Sequence, residues 1–204
     1  MNVASGYDKM DIKKLDTYNF PDFEKLTSQE SHGGCYCSFW HQKWASIADW
    51  EKCKKEHPEH NRNIVFEKVR SGFHAGVLAY EDKELLAWIS VGPVTDFYWT
   101  WRRTTQLGDA AKATAGILCM AIEKKFRRQG LQVKLLDALK TYGKAVGWTT
   151  LEGYPFDASA LEKHGGEVVW PGLTPAFEKA GFKRIGPHWL SNPQAERSIF
   201  SVSL

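Results

Sequence analysis

Apolar residues follow two distinct rhythms in the second half of this chain. Ala115-Gly116-Ile117-Leu118-Cys119-Met120-Ala121-Ile122 is continuously apolar, as a strand covered on both faces should be, and predicts a strand in the centre of a sheet. After a short polar stretch, Leu131, Leu135, Leu139, Tyr142 and Val146 recur at helical spacing. That stripe predicts an amphipathic helix over residues 130–146, closed by Gly147. Residues 148–154 read as the next strand, so strand, helix and strand form a right-handed crossover with the two strands parallel.

The remaining pattern is shorter. Helices are predicted over residues 22–29, 46–57, 62–71 and 174–180, with His32-Gly33-Gly34, Pro58, Gly72 and Gly181 as the breaks. Residues 74–80 and 84–91 read as two strands around the polar turn Glu81-Asp82-Lys83, a connection of hairpin length, and Gly92-Pro93 stops the second. The aromatic run at residues 35–40 is predicted as a strand, residues 95–108 as an aromatic and basic loop, and residues 182–185 and 198–204 as the last strands. No segment repeats and no linker composition intervenes, so one α/β domain is expected.

Composition narrows the class. The 204 residues carry 27 basic and 24 acidic side chains, with 43% hydrophobic and 25% charged, which excludes disordered, collagen-like and tandem-repeat chains. No apolar run approaches the roughly 20 residues of a membrane helix, and the polar N-terminus has no apolar leader segment. The expected address is therefore the cytoplasm, where the four cysteines stay free thiols. A net charge of +3 without a clustered basic face gives no reason to expect nucleic acid, and no membrane partner is expected. Nine tryptophans are the unusual number; most are expected to be core.

The chemistry concentrates between the buried strand and its helix. In Glu123-Lys124-Lys125-Phe126-Arg127-Arg128-Gln129-Gly130-Leu131-Gln132, unpaired N–H groups at a helix start, a glycine that permits close approach and four cations make an anion trap. It is neither a Walker loop nor a G-x-G-x-x-G turn. The expected ligand is still phosphorylated.

Ile122 followed by Arg127-Arg128-Gln129-Gly130-Leu131-Gln132 resembles the acyl-CoA signature R/Q-x-x-G-x-G/A of the GNAT superfamily of N-acetyltransferases. Phe177-Glu178-Lys179-Ala180-Gly181-Phe182 is similar to that family's later Tyr-Glu-Lys-Leu-Gly-Phe segment, in the right order and spacing. Cys35-Tyr36-Cys37, Gly92-Pro93 and Glu152-Gly153-Tyr154-Pro155 are similar to a little-characterised bacterial branch. The resemblance implies a GNAT fold: a central mixed, twisted sheet with a splayed parallel strand pair, flanked by helices. It implies a single acetyltransferase domain over residues 1–204, with a helical part, 1–73, on the acceptor side and an acyl-CoA-binding core, 74–204. It also implies acetyl-CoA as co-substrate, with Met120, Ala121 and Ile122 along the pantetheine arm and Arg127, Arg128, Gln129, Gly130, Leu131, Gln132 and Val133 at the pyrophosphate. Gln132 stands where glycine or alanine is usual.

Two family positions are changed. Gly116 lies where some members carry a strand glutamate, and Phe177 replaces the helix tyrosine, so neither can move a proton. Glu152 and Tyr154, two apart on one strand face beside the cofactor cleft, are the substitutes expected to do so. Cys35 and Cys37 are expected to share a strand face near His41 as buried thiols; their spacing does not suit zinc, and no metal is expected. The tryptophan-rich segments before the cofactor motifs are expected to cover the acceptor, with Cys37, Trp40, Tyr98 and Trp99 touching it. Three functions follow: acetylation of a small-molecule amine, a non-catalytic acyl-CoA sensor, or acetylation of a protein or peptide amine. Assembly as a homodimer is left open.

Overall fold

The computed structural model describes residues 10–29, 33–157, 171–191 and 196–204; the first nine residues and His32 of the sequence reading lie outside these. Seven strands form one sheet: β1 Asp11–Lys14, β2 Val77–Glu81, β3 Glu84–Pro93, β4 Thr114–Ile122, β5 Thr150–Gly153, β6 Lys183–Pro187 and β7 Ser198–Ser203. Their order is β1-β2-β3-β4-β5-β7-β6, with only β4 and β5 parallel. The helices are α1 Phe20–Thr27, α2 Ile47–Glu56, α3 Pro58–Arg70, α4 Trp101–Leu107, α5 Leu131–Ala145 and α6 Thr174–Lys179.

The apolar rhythms act as expected. β4 is buried along nearly its whole length, and α5 lays Leu131, Leu135, Leu136 and Leu139 on one face of the sheet, beside Phe177 of α6. Each such side chain stabilises the fold by about 1.5–3 kcal/mol. Val146 is not part of that stripe: it follows the last turn of α5 and is 46% exposed, while Gly147 at φ +87° turns the chain out of the helix. The other face receives α1, whose Phe23 meets Trp88 of β3 edge-on at 4.6 Å. Trp88 and its neighbours Ala87 and Ile89 face opposite sides of the sheet, as strand alternation requires. The β2–β3 turn is tighter than expected, with Asp82 (φ +48°) and Lys83 (φ +70°) alone between the paired Glu81 and Glu84.

Two readings are corrected and one strand is added. Residues 35–40 are not a strand, because Gly33, Gly34, Tyr36 and Cys37 all have positive φ, and a short 3-10 helix follows over Ser38–His41. Consecutive left-handed residues cannot extend. Residues 95–108 are not a plain loop: two 3-10 turns lead into α4, which has no buried residue and so no apolar stripe to read. Asp11–Lys14, charged at every position but Ile12, also pairs with β2 as an edge strand.

Candidate active site

The site begins with a defect in β4. Ser90 of β3 pairs with Cys119 and Val91 with Ile117, so Leu118 is an extra residue bulged out of the ladder. On the opposite side of β4, the parallel pairing with β5 ends at Ile117 and Gly153, while β4 continues from Leu118 to Ile122. The bulge and the loss of pairing coincide, and the strands part there. Leu118 and Cys119 both face the N-terminal helices, whereas Met120 and Ile122 face α5, with Ala121 on the side opposite them.

One wall of the opening is the basic loop. A 3-10 turn, Lys124–Phe126, leads to Arg128 at φ +62° and Gly130 at φ +75°, after which α5 starts at Leu131. Left-handed residues before a helix start turn successive N–H groups toward one point, the geometry of an anion-binding nest. A cleft of about 320 Å³ lies here, lined by Ile122, Arg127, Arg128 and Gly130 to Val133 on one side and by Leu173, Pro175, Ala176 and Lys179 on the other. Arg127 donates from Nε to the Ile122 carbonyl at 2.7 Å, tying the loop to the end of β4, and Gln129 donates to the Lys125 carbonyl at 2.8 Å. Gln132 spans the cleft: its buried Nε2 finds no hydrogen-bond partner among the described residues and lies so close to Gly172 that no Cβ fits there. An orphaned donor in a cleft walled by N–H groups suits a phosphorylated ligand with a polar arm.

Glu152 and Tyr154 do come together, but not alone. The Tyr154 hydroxyl donates to Glu152 Oε2 at 3.4 Å, and both side chains are buried. Arg103 of α4 takes the same carboxylate in a fork, Nε to Oε2 at 2.8 Å and Nη2 to Oε1. Burial, and after it the Glu152 charge, push the Tyr154 phenol well above its ordinary range, so it stays protonated. Its hydroxyl would stand 3.0 Å from a Cβ at position 116, which explains glycine there. Phe177 is core: its ring occupies the space a Cβ at Gly153 would need and packs on Phe182 and Phe200.

A second cavity, also about 320 Å³, opens on the N-terminal face of the bulge, with Leu118, Cys119, Cys37 and Trp40 in its wall. Of the four residues expected to touch the acceptor, Cys37 and Trp40 line this cavity. The other two are elsewhere: Trp99 stacks on Phe39 at 5.3 Å and donates to the Gln42 carbonyl, while Tyr98 lies in a surface hollow with Phe97 and Trp101. Although they share no strand, Cys35 and Cys37 stay close, the Cys37 N–H reaching Cys35 Sγ at 3.5 Å. Trp88 Nε1 donates to Cys37 Sγ at 3.3 Å. Burial above all raises the Cys35 thiol, and hydrogen bonding with Cys119 above all raises Cys37, so both are held as neutral thiols.

The sequence profile of the acetyltransferase (GNAT) family matches residues 37–160, which includes β4, the basic loop, α5 and β5. This chain belongs to the GNAT acetyltransferase family. The acetyltransferase carries the family's chemistry, acyl transfer with acetyl-CoA as co-substrate. Solved structures share the fold. Aminoglycoside acetyltransferase AAC(6')-Ib, in complex with coenzyme A and kanamycin, is 14% identical with a TM-score of 0.55, over 96% of this chain and 95% of that one. A GNAT acetyltransferase from Bacillus cereus is 10% identical at 0.53, over 96% and 97% of the two chains. PaiA N-acetyltransferase from Thermoplasma acidophilum, in complex with coenzyme A, is 14% identical at 0.50, over 96% and 99%. No curated protein matches the sequence. Among the described residues of the acetyltransferase, no helix is long and apolar enough to cross a membrane.

Arg103 is a candidate site residue that sequence reasoning missed. It lies in a helix without an apolar face, 49 positions from its partner. The one available signal was indirect: a glutamate inside a buried strand demands a cation, and Arg102-Arg103 was the basic pair in the adjacent loop.

Proposed function

We propose that this acetyltransferase passes the acetyl group of acetyl-CoA to the primary amine of a small molecule, by direct attack within a ternary complex. The observation that carries the reading is the Leu118 bulge, because it sets a walled cavity on one face of β4 where the strand parts from β5 toward the cofactor cleft. A cavity of this size suits a small molecule, whereas a peptide acceptor calls for an open groove. Solved structures of the same fold that hold coenzyme A, one of them together with kanamycin, support the same arrangement.

In this reading the N–H groups from Arg128 to Val133 hold the pyrophosphate, Gln132 donates to the cofactor with its unpartnered amide, and the end of β4 runs along the pantetheine arm. The acceptor nitrogen, arriving neutral from the cavity, bonds to the thioester carbonyl carbon; the C–S bond breaks, nitrogen loses one proton and the departing sulfur gains one. Tyr154, protonated and buried, is the proton donor. The Arg103 fork and the Tyr154 hydroxyl occupy the Glu152 oxygens, so Glu152 and Arg103 position the Tyr154 hydroxyl while water takes the proton from nitrogen.

The test is a panel of small amines with acetyl-CoA, read by release of CoA thiol. Amine-dependent release that tracks N-acetylated product is expected. Calorimetric binding of acetyl-CoA with no release by any amine would instead make the protein an acyl-CoA-binding module.

A further inference from the structure

The acceptor cavity contains a cation that no carboxylate among the described residues neutralises. Arg197, just before β7, lines the same cavity as Leu118 and Cys119, and its guanidinium lies 4.6 Å over the Phe156 ring. Its Nε and Nη2 reach only the Tyr154 carbonyl, at 3.4 and 3.3 Å. Among the described residues it makes no ion pair. Among the described residues the other charged side chain in the wall is Lys54, also a cation, and none of those residues in the wall is an aspartate or glutamate. The rest is apolar and aromatic, including Trp40, Phe156 and Leu190.

A half-buried guanidinium without a carboxylate is costly, because the hydration it loses is not returned by a counter-charge. Burial accordingly pulls the Arg197 pKa down to about 10, which still leaves it charged at neutral pH. The fork of Nη groups is the geometry that receives a carboxylate with two parallel hydrogen bonds. Its two long contacts to a single carbonyl leave donors to spare.

Resting on the small-amine reading above, we infer that the acceptor is an amine that also bears a carboxylate on an apolar or aromatic body, with the carboxylate received by Arg197. Its amine then reaches the bulge at Leu118 and Cys119, where the acetyl group is transferred. The reaction is the N-acetylation of an amino acid: the C–N bond forms, the C–S bond breaks, and one proton passes in net from nitrogen to the CoA sulfur.

Matched pairs test it with the full chain. Phenylalanine, tryptophan and leucine are compared with their decarboxylated amines and their carboxamides at fixed acetyl-CoA, by thiol release. The carboxylated member of each pair is expected to have the higher kcat/KM, by about 10²-fold, the scale of one lost charge-paired hydrogen-bonded contact. In Arg197→Gln the ratio between the members is expected to fall to near one, and Arg197→Lys to keep part of it. Equal rates across the pairs in the wild type would overturn the inference while leaving the small-amine reading standing, as would a preference for the carboxylate that survives Arg197→Gln. Silence of every amine in a protein that binds acetyl-CoA would overturn both. If Arg197→Gln fails to fold, the wild-type ratios decide alone.

Discussion

Arg103 of α4 and Glu152 of β5 form a forked ion pair in the candidate active site, with Nε to Oε2 at 2.8 Å, and the carboxylate is 1% exposed. Removing one partner of a buried pair leaves a charge without hydration or counter-ion, which costs about 3–5 kcal/mol. Arg103→Met is therefore expected to lower the urea midpoint strongly, and Arg103→Met combined with Glu152→Leu to recover much of the loss. Equal losses in the single and double variants would show that the pair is not a unit.

The same geometry separates positioning from proton transfer. Tyr154→Phe is expected to lower kcat about 10²- to 10⁴-fold with acetyl-CoA affinity near normal, as removal of a general acid does. Glu152→Gln is expected to lower kcat without removing a limb of the pH–rate profile, since in this reading the carboxylate only positions the phenol. A lost acidic limb in Glu152→Gln would make Glu152 the base. Full activity in Tyr154→Phe would remove the phenol from the chemistry.

The cofactor cleft yields two opposed variants. Gly130 is left-handed at φ +75°, a conformation that a β-branched residue resists, so Gly130→Val is expected to distort the nest and abolish acetyl-CoA binding in calorimetry while unfolding stays cooperative. Gln132→Ala removes the unpartnered donor and is expected to weaken binding about tenfold, the scale of one hydrogen bond. Tighter binding in Gln132→Ala would mean that the side chain obstructs the cleft.

Two buried histidines set the acid limit of stability. Burial holds His41, between Phe73 and Phe97, down from 6.5 to about 3, and His188, stacked on Trp189, down from 6.5 to about 2. Above pH 6.5 both are neutral in the folded and unfolded chain and their full contribution is present. Below it the unfolded chain protonates first, so stability is expected to fall by about 1.4 kcal/mol per pH unit for each histidine until the folded pKa is reached. Neither ring nitrogen of His41 has a partner among the described residues, so His41→Phe is expected to raise the midpoint and remove one histidine's share of the acid slope, leaving those of His188 and His74. An unchanged slope, measured by urea titration from pH 7 to pH 4, would contradict this.

Periodicity made legible what burial and periodicity control. β4, α5, β5 and the basic loop could be placed because Ile117, Leu131, Leu135 and Leu139 are core, and two linear motifs supplied the family. It could not reveal β1, an edge strand held by backbone bonds and bearing charged side chains, since Asp11 and Lys13 need no apolar alternation. Aromatic content misled at Tyr36 and Cys37, where left-handed backbone overrides strand preference and tertiary burial accounts for the aromatics. The pairing of Arg103 with Glu152 and the isolation of Arg197 are relations between distant segments. No local pattern carries them.

The central claim is that acetyl-CoA and its acceptor meet at the Leu118 bulge, and a crystal structure of the protein with coenzyme A and an acetylated amino acid tests it most directly. The account predicts the pyrophosphate on the N–H groups from Arg128 to Val133, the thiol beside Leu118 and Cys119, and the acceptor carboxylate on Arg197. Coenzyme A outside the opening between β4 and β5, or an acceptor that enters without touching the Arg197 cavity, would contradict it.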